Sequence, residues 1–283
     1  LSQLKQANQY KSLADAKAAI KKIGRMIRNE GLPGEICPVI CGFTGSGQVS
    51  KGAQAIYDLL EPCQIEPEHL ATKTEQSHSD ITQVYNVVFR REHRFRPKDP
   101  GSTFSTDDFN QNPGAYESNF EQFLPFLSIL INGIYWEAGQ PRLVTERCLQ
   151  EIYRQEKQPK LRVIGDITSD IRGSIECNHR ATNTLNPVYV FNPLDGKTQD
   201  GWQGTGPVIL AVDKLPTELP KEASSSFGDA LMPYVPALAL ANFTKLFCEL
   251  DIPQEFKKAV IAHRGELMEG YKYIDSFLKQ HTV

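Results

Sequence analysis

The stretch "CPVICGFTGSGQVSKGAQAIYDLLEPCQIEPEHL", residues 37–70, decides how the chain is read. A run of buried-type residues, "CPVICGF", breaks into glycines and resumes as "SKGAQAIYDLL", where Ala53, Ile56, Leu59 and Leu60 recur at helical spacing. A short segment, "CQIE" (63–66), closes the unit. Strand, tight turn, helix and strand within about 30 residues make a βαβ unit, whose crossover is expected to be right-handed.

The turn carries Gly45, Ser46, Gly47 and Gly52, with Ser50 standing where the dinucleotide fingerprint has its third glycine or alanine. Gly45 would permit the tight turn, and Gly47 would let the backbone come within hydrogen-bond distance of a pyrophosphate. A small residue at 50 or 52 would let the helix pack close to the strand. The amides of Gln48, Val49 and Ser50 would then face the negative charge, aided by the helix dipole. A Walker A loop shares the glycine spacing at Gly42 and Gly47, but Gln48 and Val49 occupy the positions that require lysine and Ser/Thr. Glu66 lies 19 residues after Gly47, close to the ~20-residue offset at which an acid reaches the adenosine ribose. As a ribose ligand it would favour NAD(H), because a carboxylate repels a 2′-phosphate. The alternatives are a structural glycine turn that binds nothing and a solvated charge at Glu66.

With 283 residues, 23% charged and 40% hydrophobic, the chain has an ordinary globular balance and enough length for one large domain with an appendage. A net charge of −3 and a single short basic run, "RREHRFRPK" (90–98), argue against nucleic acid as a partner. No apolar stretch approaches the ~20 residues that span a bilayer, so no membrane is expected and the chain is read as soluble. The first residues lack a signal-peptide core. Six scattered cysteines without a Cys-x-x-Cys pair read as reduced thiols of an intracellular protein, and six dispersed histidines give no metal-ligand spacing.

Around this unit the chain alternates strands and helices, which predicts an α/β, Rossmann-type doubly wound, mainly parallel sheet with flanking helices and a C-terminal helical tail. Residues 1–34 read as a connecting helix and linker. Residues 35–226 read as the dinucleotide-binding domain, with a polar surface insertion at 71–119 that holds one short helix or strand, "VYNVVF". Residues 227–283 read as a helical segment. Within the second region "FLPFLSILINGIYW" reads as a buried strand, "LVTERCLQEIYRQE" as a helix capped by Thr145, and "KLRVIGDITSD", "NPVYVFN" and "GPVILAVDKL" as strands. Ligands of open α/β sheets lie at the carboxyl ends of strands. That draws attention to "NGIYWE" (132–137) and "GDITSDIRGSIE" (165–176). Asp166 and Asp170 read either as turn chemistry or as groups near a nicotinamide ribose or substrate, and Tyr135 and Trp136 as core or as substrate wall.

Four blocks, "FTGSGQVSKGAQAIYDLL", "LINGIYWEAGQPRLVT", "GDITSDIRGSIECNHRATNTLNPVYVFNP" and "LPTELPKEASSSFGDALMPYV", occur in an order that resembles the lysine-ketoglutarate reductase portion of bifunctional aminoadipic semialdehyde synthases. More distantly they are similar to lysine-forming saccharopine dehydrogenases and alanine dehydrogenases. The resemblance runs from about Pro38 onward and is weakest over 71–119. It implies reductive condensation of L-lysine with 2-oxoglutarate to saccharopine, in lysine degradation, with NADP(H) expected and NAD(H) as the alternative cofactor.

It further implies that Gly45, Ser46, Gly47, Gln48 and Val49 carry the pyrophosphate and Glu66 the adenosine side. Asn132, Gly133, Ile134, Asp166 and Ile167 would border the nicotinamide, Tyr135 and Trp136 the substrate, and Asp170 the reacting carbon. Family members carry a preceding substrate domain that supplies a Lys-His acid-base pair, and no residue of this sequence matches that pair. The chain is therefore expected to be a cofactor-binding part of a longer polypeptide with a saccharopine dehydrogenase domain, mitochondrial if of the animal type and otherwise cytoplasmic, and prone to self-association through an exposed face. An alanine-dehydrogenase-like amino-acid oxidoreductase and a non-catalytic Rossmann scaffold are the competing functions.

Overall fold

The computed structural model describes residues 3–76, 80–156 and 158–280. Two compact units emerge, Leu1–Leu219 and Pro220–Val283. The boundary drawn from sequence at 226/227 falls inside the first helix of the second unit.

In the first unit, helix α1 (Leu13–Glu30) begins at Ser12, whose side chain accepts from the Asp15 amide, and stops at Gly31, where φ is 81°. Its Ile23 and Ile27 join Leu32, Cys37 and Val84 in a small apolar cluster. Strand β1 (Val39–Thr44) runs into the glycine turn and helix α2 (Gln48–Tyr57), followed by β2 (Cys63–Ile65), α3 (Leu70–Gln76) and β3 (Val84–Phe89). A surface excursion then holds α4 (Arg91–Arg94), β4 (Phe95–Pro97), α5 (Thr106–Gln111) and β5 (Tyr116–Ser118). The chain returns through β6 (Ile129–Asn132), α6 (Glu146–Gln155), β7 (Val163–Asp166), β8 (Val188–Phe191), β9 (Thr198–Asp200) and β10 (Val208–Leu210). Thr145 caps α6 as expected, accepting from the Cys148 amide at 3.1 Å.

Eight strands form one sheet in the order β2-β3-β1-β6-β7-β10-β8-β9. The six from β2 to β10 are parallel, and β8 and β9 add an antiparallel edge. The predicted mainly parallel, doubly wound Rossmann-type sheet is therefore present. Its core runs from Ile40, Val87 and Phe89 through Leu130 and Ile164 to Ile209, all fully buried.

Two local expectations change. The polar segment 71–119 contributes β3, the immediate neighbour of β1, and so supplies a central strand of the fold. "VYNVVF" is nearly continuous in buried residues because a parallel strand is covered on both faces. The rest of the segment is polar because it lies over the surface, around its own small aromatic cluster: Phe95 stacks on Phe109 at 4.6 Å, and Tyr116 meets Phe109 edge-on at 5.2 Å. The second change is in "FLPFLSILINGIYW", where only Ile129–Asn132 is strand. A 3₁₀ helix, Glu121–Phe126, with Pro125 inside it, precedes the strand.

The second unit consists of α7 (Pro220–Leu231), α8 (Val235–Leu240), α9 (Gln254–Ala259), a two-stranded ribbon of β11 (Ala262–His263) and β12 (Glu266–Leu267), and α10 (Asp275–Gln280). Pro233, in the 3₁₀ turn Met232–Tyr234, and Pro236, in the first turn of α8, keep α7 and α8 from joining, because neither can donate to a continuing helix. Among the described residues no helix is long and apolar enough to cross a membrane.

Candidate dinucleotide site at the carboxyl edge of the sheet

Four parallel strands end level with one another. Phe89 pairs with Thr44, Thr44 with Asn132, and Asn132 with Asp166, so the last residues of β3, β1, β6 and β7 make one row along the carboxyl edge. Chain order reverses direction at β1, with β3 on one side and β6 on the other. In doubly wound sheets such a switch point opens the crevice in which ligands sit.

The glycine turn occupies that point. Gly45 has φ 87°, a left-handed conformation that glycine adopts without steric cost, and its amide donates to the Phe89 carbonyl at 3.0 Å. A Cβ there would lie 3.1 Å from Ile134 Cγ2. Gly47 is the N-cap of α2, and a Cβ on it would meet nothing within 4 Å, so its backbone faces open space. Ser46, Gly47, Gln48 and Val49 are exposed, whereas Ser50 is buried. A Cβ on Gly133 would come 3.2 Å from the Ser50 amide nitrogen and 3.3 Å from Val49 Cγ1. Ser50, and not Gly52, is thus the small residue that lets α2 pack against the end of β6, since a Cβ at Gly52 would be free.

Beneath the row lies a closed polar network. Thr44 Oγ1 donates to Asn132 Oδ1 at 2.7 Å, and Asn132 Nδ2 donates to Asp166 Oδ1 and Ser174 Oγ, each at 2.9 Å. Asn178 Nδ2 donates to Asp166 Oδ2 and Thr168 Oγ1 to Asp166 Oδ1, both at 2.8 Å. Burial raises the Asp166 carboxyl above the ordinary carboxylate range. The bonds from Asn132, Thr168 and Asn178 oppose that rise, and the charge of Asp170 adds to it. Asp166 is 1% exposed, so the structure gives it to the protein's interior and not to a ligand surface. Asn132 is likewise fully buried, and its carbonyl accepts from the Ile167 amide at 2.9 Å.

The remaining candidates separate clearly. Tyr135 is 82% exposed, and its phenol pKa is raised by a hydrogen bond with Glu137, then by the charges of Glu137 and Asp170. Asp170 is exposed. Trp136 is held to the protein: its Nε1 donates to the Pro141 carbonyl at 3.2 Å and the Arg142 guanidinium lies over its ring. Glu66 follows β2, the edge strand, so β3 stands between it and β1, about two strand spacings or ~10 Å away. Its only described side-chain partner is Gln64, at 3.4 Å. The structure does not bring Glu66 to the glycine turn.

What β3 brings there instead is arginine. A cleft of about 430 Å³ is lined by Gly45–Gly47 and Gly133–Tyr135 together with Arg90, Arg91 and Arg94. In the sequence these arginines belong only to a short basic run, 90–98. The signal that could have found them is that they directly follow the most apolar stretch of the polar segment. Six cysteines are free thiols, and among the described residues no group of three acidic, histidine or cysteine side chains could hold a metal. His78 and His281 lie outside the described residues.

Strand order, glycine turn and crevice define a Rossmann-type α/β protein with an open cleft at the switch point of its sheet. The resemblance drawn from the four sequence blocks is borne out: the chain is 39% identical to alpha-aminoadipic semialdehyde synthase of Arabidopsis thaliana over 96% of its own length and 26% of that protein. It is 34% identical to the mitochondrial alpha-aminoadipic semialdehyde synthase of Bos taurus, over 95% of this chain and 30% of the relative. A shorter match, 31% identity over 40% of this chain and 28% of the relative, is to the NAD(+), L-lysine-forming saccharopine dehydrogenase of Emericella nidulans. The chain thus spans between a quarter and a third of the length of these relatives. Among solved structures, an L-alanine dehydrogenase matches with a TM-score of 0.46 at 16% identity, covering 93% of this chain and 62% of that one. No protein-family model matches.

Proposed function

We propose that the chain is the nicotinamide-dinucleotide-binding portion of a lysine-ketoglutarate reductase, working within a longer polypeptide that also carries a saccharopine dehydrogenase region. The observation that carries this reading is the glycine turn at the switch point, with open space over Gly47 and a cleft running to both sides of β1. Similarity to the semialdehyde synthases along nearly the whole chain supports the same reading.

In this reading the amides from Ser46 to Val49 hold the pyrophosphate at the start of α2, where the helix dipole favours negative charge. Gly133, Ile134 and Ile167, held in place by the Asn132–Asp166 network, form the floor beside the nicotinamide. Asp166 acts as a positioning residue, fixing the ends of β6 and β7 relative to each other through Asn132. Tyr135 and Asp170 stand exposed beyond that floor, where an amino or oxo acid would meet them. The bound cofactor, NADP(H), would supply a hydride to the imine carbon formed from L-lysine and 2-oxoglutarate. The mitochondrial designation of the bovine relative makes that organelle the proposed location in animals.

Calorimetric titration of NADPH and NADH into the chain tests the reading. Binding of at least one dinucleotide, abolished by Gly47→Glu with retained folding, is the expected result. A folded chain that binds neither would overturn it and leave the non-catalytic scaffold.

A further inference from the structure

We propose that Arg90 and Arg94, at the end of β3, form the subsite that recognises the ribose 2′-phosphate of NADP(H), and that Glu66 takes no part in choosing the cofactor. This rests on the dinucleotide reading of the glycine turn and adds to it the group that sets specificity.

In a doubly wound sheet the adenosine ribose lies over the end of the strand flanking β1 on the side away from the nicotinamide, whatever that strand's place in the sequence. Counting residues from the glycine turn leads to β2 and Glu66, but the sheet order puts β3 in the flanking place. The link is direct, because the Gly45 amide donates to the carbonyl of Phe89, the residue before Arg90. The group that a ribose substituent would meet is therefore Arg90.

Arg94 gives a second and independent indication. It is only 5% exposed, yet among the described residues no carboxylate lies within ion-pair distance of it. Its Nε donates to the Arg90 carbonyl at 3.2 Å and its guanidinium lies 5.3 Å from the Phe95 ring centre. Burial, and then the positive charge of Arg91, weaken its hold on its proton, with Glu92 opposing, and its pKa is pulled down to about 10. A buried cation with no carboxylate at ion-pair distance is costly, and an anion in the adjoining cleft would reduce that cost. Arg91 is committed elsewhere, with its Nη1 donating to Asn110 at 2.7 Å and its guanidinium over Phe109. Arg90 is exposed and forms no ion pair among the described residues, so it is free to close over a phosphate. Glu92 is the one acid among the cleft-lining residues, against three arginines. A dianionic phosphate matches that balance and a neutral 2′-hydroxyl does not.

The test is titration of NADPH, NADH, adenosine 2′,5′-bisphosphate and inorganic phosphate into the wild-type chain and into Arg90→Ala, Arg94→Met and Glu66→Gln. The expected result is tighter NADPH than NADH binding in the wild type. Arg90→Ala should weaken NADPH and the bisphosphate about tenfold or more while leaving NADH within about twofold. Glu66→Gln should leave the ratio unchanged. Arg94→Met should behave as Arg90→Ala, and if it fails to fold, the exposed Arg90 variant still decides. Equal losses for both dinucleotides, an unchanged ratio in Arg90→Ala, a shifted ratio in Glu66→Gln, or phosphate binding as tight as the bisphosphate would each overturn the assignment while leaving dinucleotide binding intact. Absence of all dinucleotide binding would instead remove the reading on which it rests.

Discussion

The same sheet edge buries a charge in two opposite ways. At the end of β7, Asp166 is 1% exposed and three side chains, Asn132, Thr168 and Asn178, donate to it. Just past the end of β3, Arg94 is 5% exposed and has no carboxylate at ion-pair distance among the described residues. A buried polar group whose bonds are complete specifies architecture, and one left short of a counter-charge is open to a partner from outside. On this view the β7 side is the rigid floor of the site and the β3 side its recognition arm.

Breaking the floor should have the largest effect. Asp166→Ala leaves Asn178 Nδ2 without its acceptor in the interior, removes the acceptor of Thr168 Oγ1 and leaves Asn132 Nδ2 with Ser174 alone, and should cost about 3–5 kcal/mol in urea unfolding at pH 7. Asp166→Asn keeps the shape but cannot accept all three bonds, and should cost less. Burial raises the Asp166 carboxyl, so the folded state favours its protonated form. The stability this contributes is fully present below the unfolded value of about 3.9 and declines as pH rises through the folded value. The stability gap between wild type and Asp166→Asn should therefore be wider at pH 4 than at pH 7. A gap that widens toward pH 7 would mean that the hydrogen bonds outweigh burial at this carboxyl.

How much of this was legible beforehand follows from what each signal measures. The glycine turn, the helix after it and the Thr145 cap are local features, read from consecutive residues, and each stands where expected. The neighbour of β1 is not a local property. Nothing in "CQIE" or "VYNVVF" says which of two parallel strands pairs with β1, and the offset from Gly47 to Glu66 assumes that the next strand in sequence is the next in space. The greater apolarity of "VYNVVF" was the available clue, since an edge strand such as β2 needs burial at only one of its three positions. The place of Asp166 at a strand end is readable from the sequence, but its inward direction depends on Asn132 and Asn178, 34 and 12 residues away.

Packing of the turn against the floor offers two intermediate tests. Gly133→Val would drive a branched side chain into the Ser50 amide, 3.2 Å from the new Cβ, with rigid backbone as the obstacle. A loss of about 2–3 kcal/mol is expected, together with weaker binding of both dinucleotides. Gly45→Ala forces an alanine to φ 87° and sets its Cβ 3.1 Å from Ile134, which should cost about 1–2 kcal/mol by thermal unfolding. If Gly133→Val is silent, the end of β6 is not a fixed floor for α2 and the distinction between floor and arm loses one side.

The smallest expected effect on stability falls at Arg94, and it is the sharpest test of the comparison. Replacing a buried charge that lacks a counter-charge by methionine removes a desolvation cost as well as one hydrogen bond to the Arg90 carbonyl, so the two changes oppose each other. Arg94→Met should leave the ligand-free chain within about 1 kcal/mol of wild type in urea unfolding. The same variant should lose about half of the rise in Tm that NADPH at about 100 times its Kd confers while keeping the rise due to NADH, because a tenfold loss of affinity removes about 1.4 of roughly 2.7 kcal/mol of ligand stabilisation. If Arg94→Met instead costs as much as Asp166→Ala, the arginine is built into the fold as firmly as the aspartate, and the two ends of the edge differ in sign of charge but not in role.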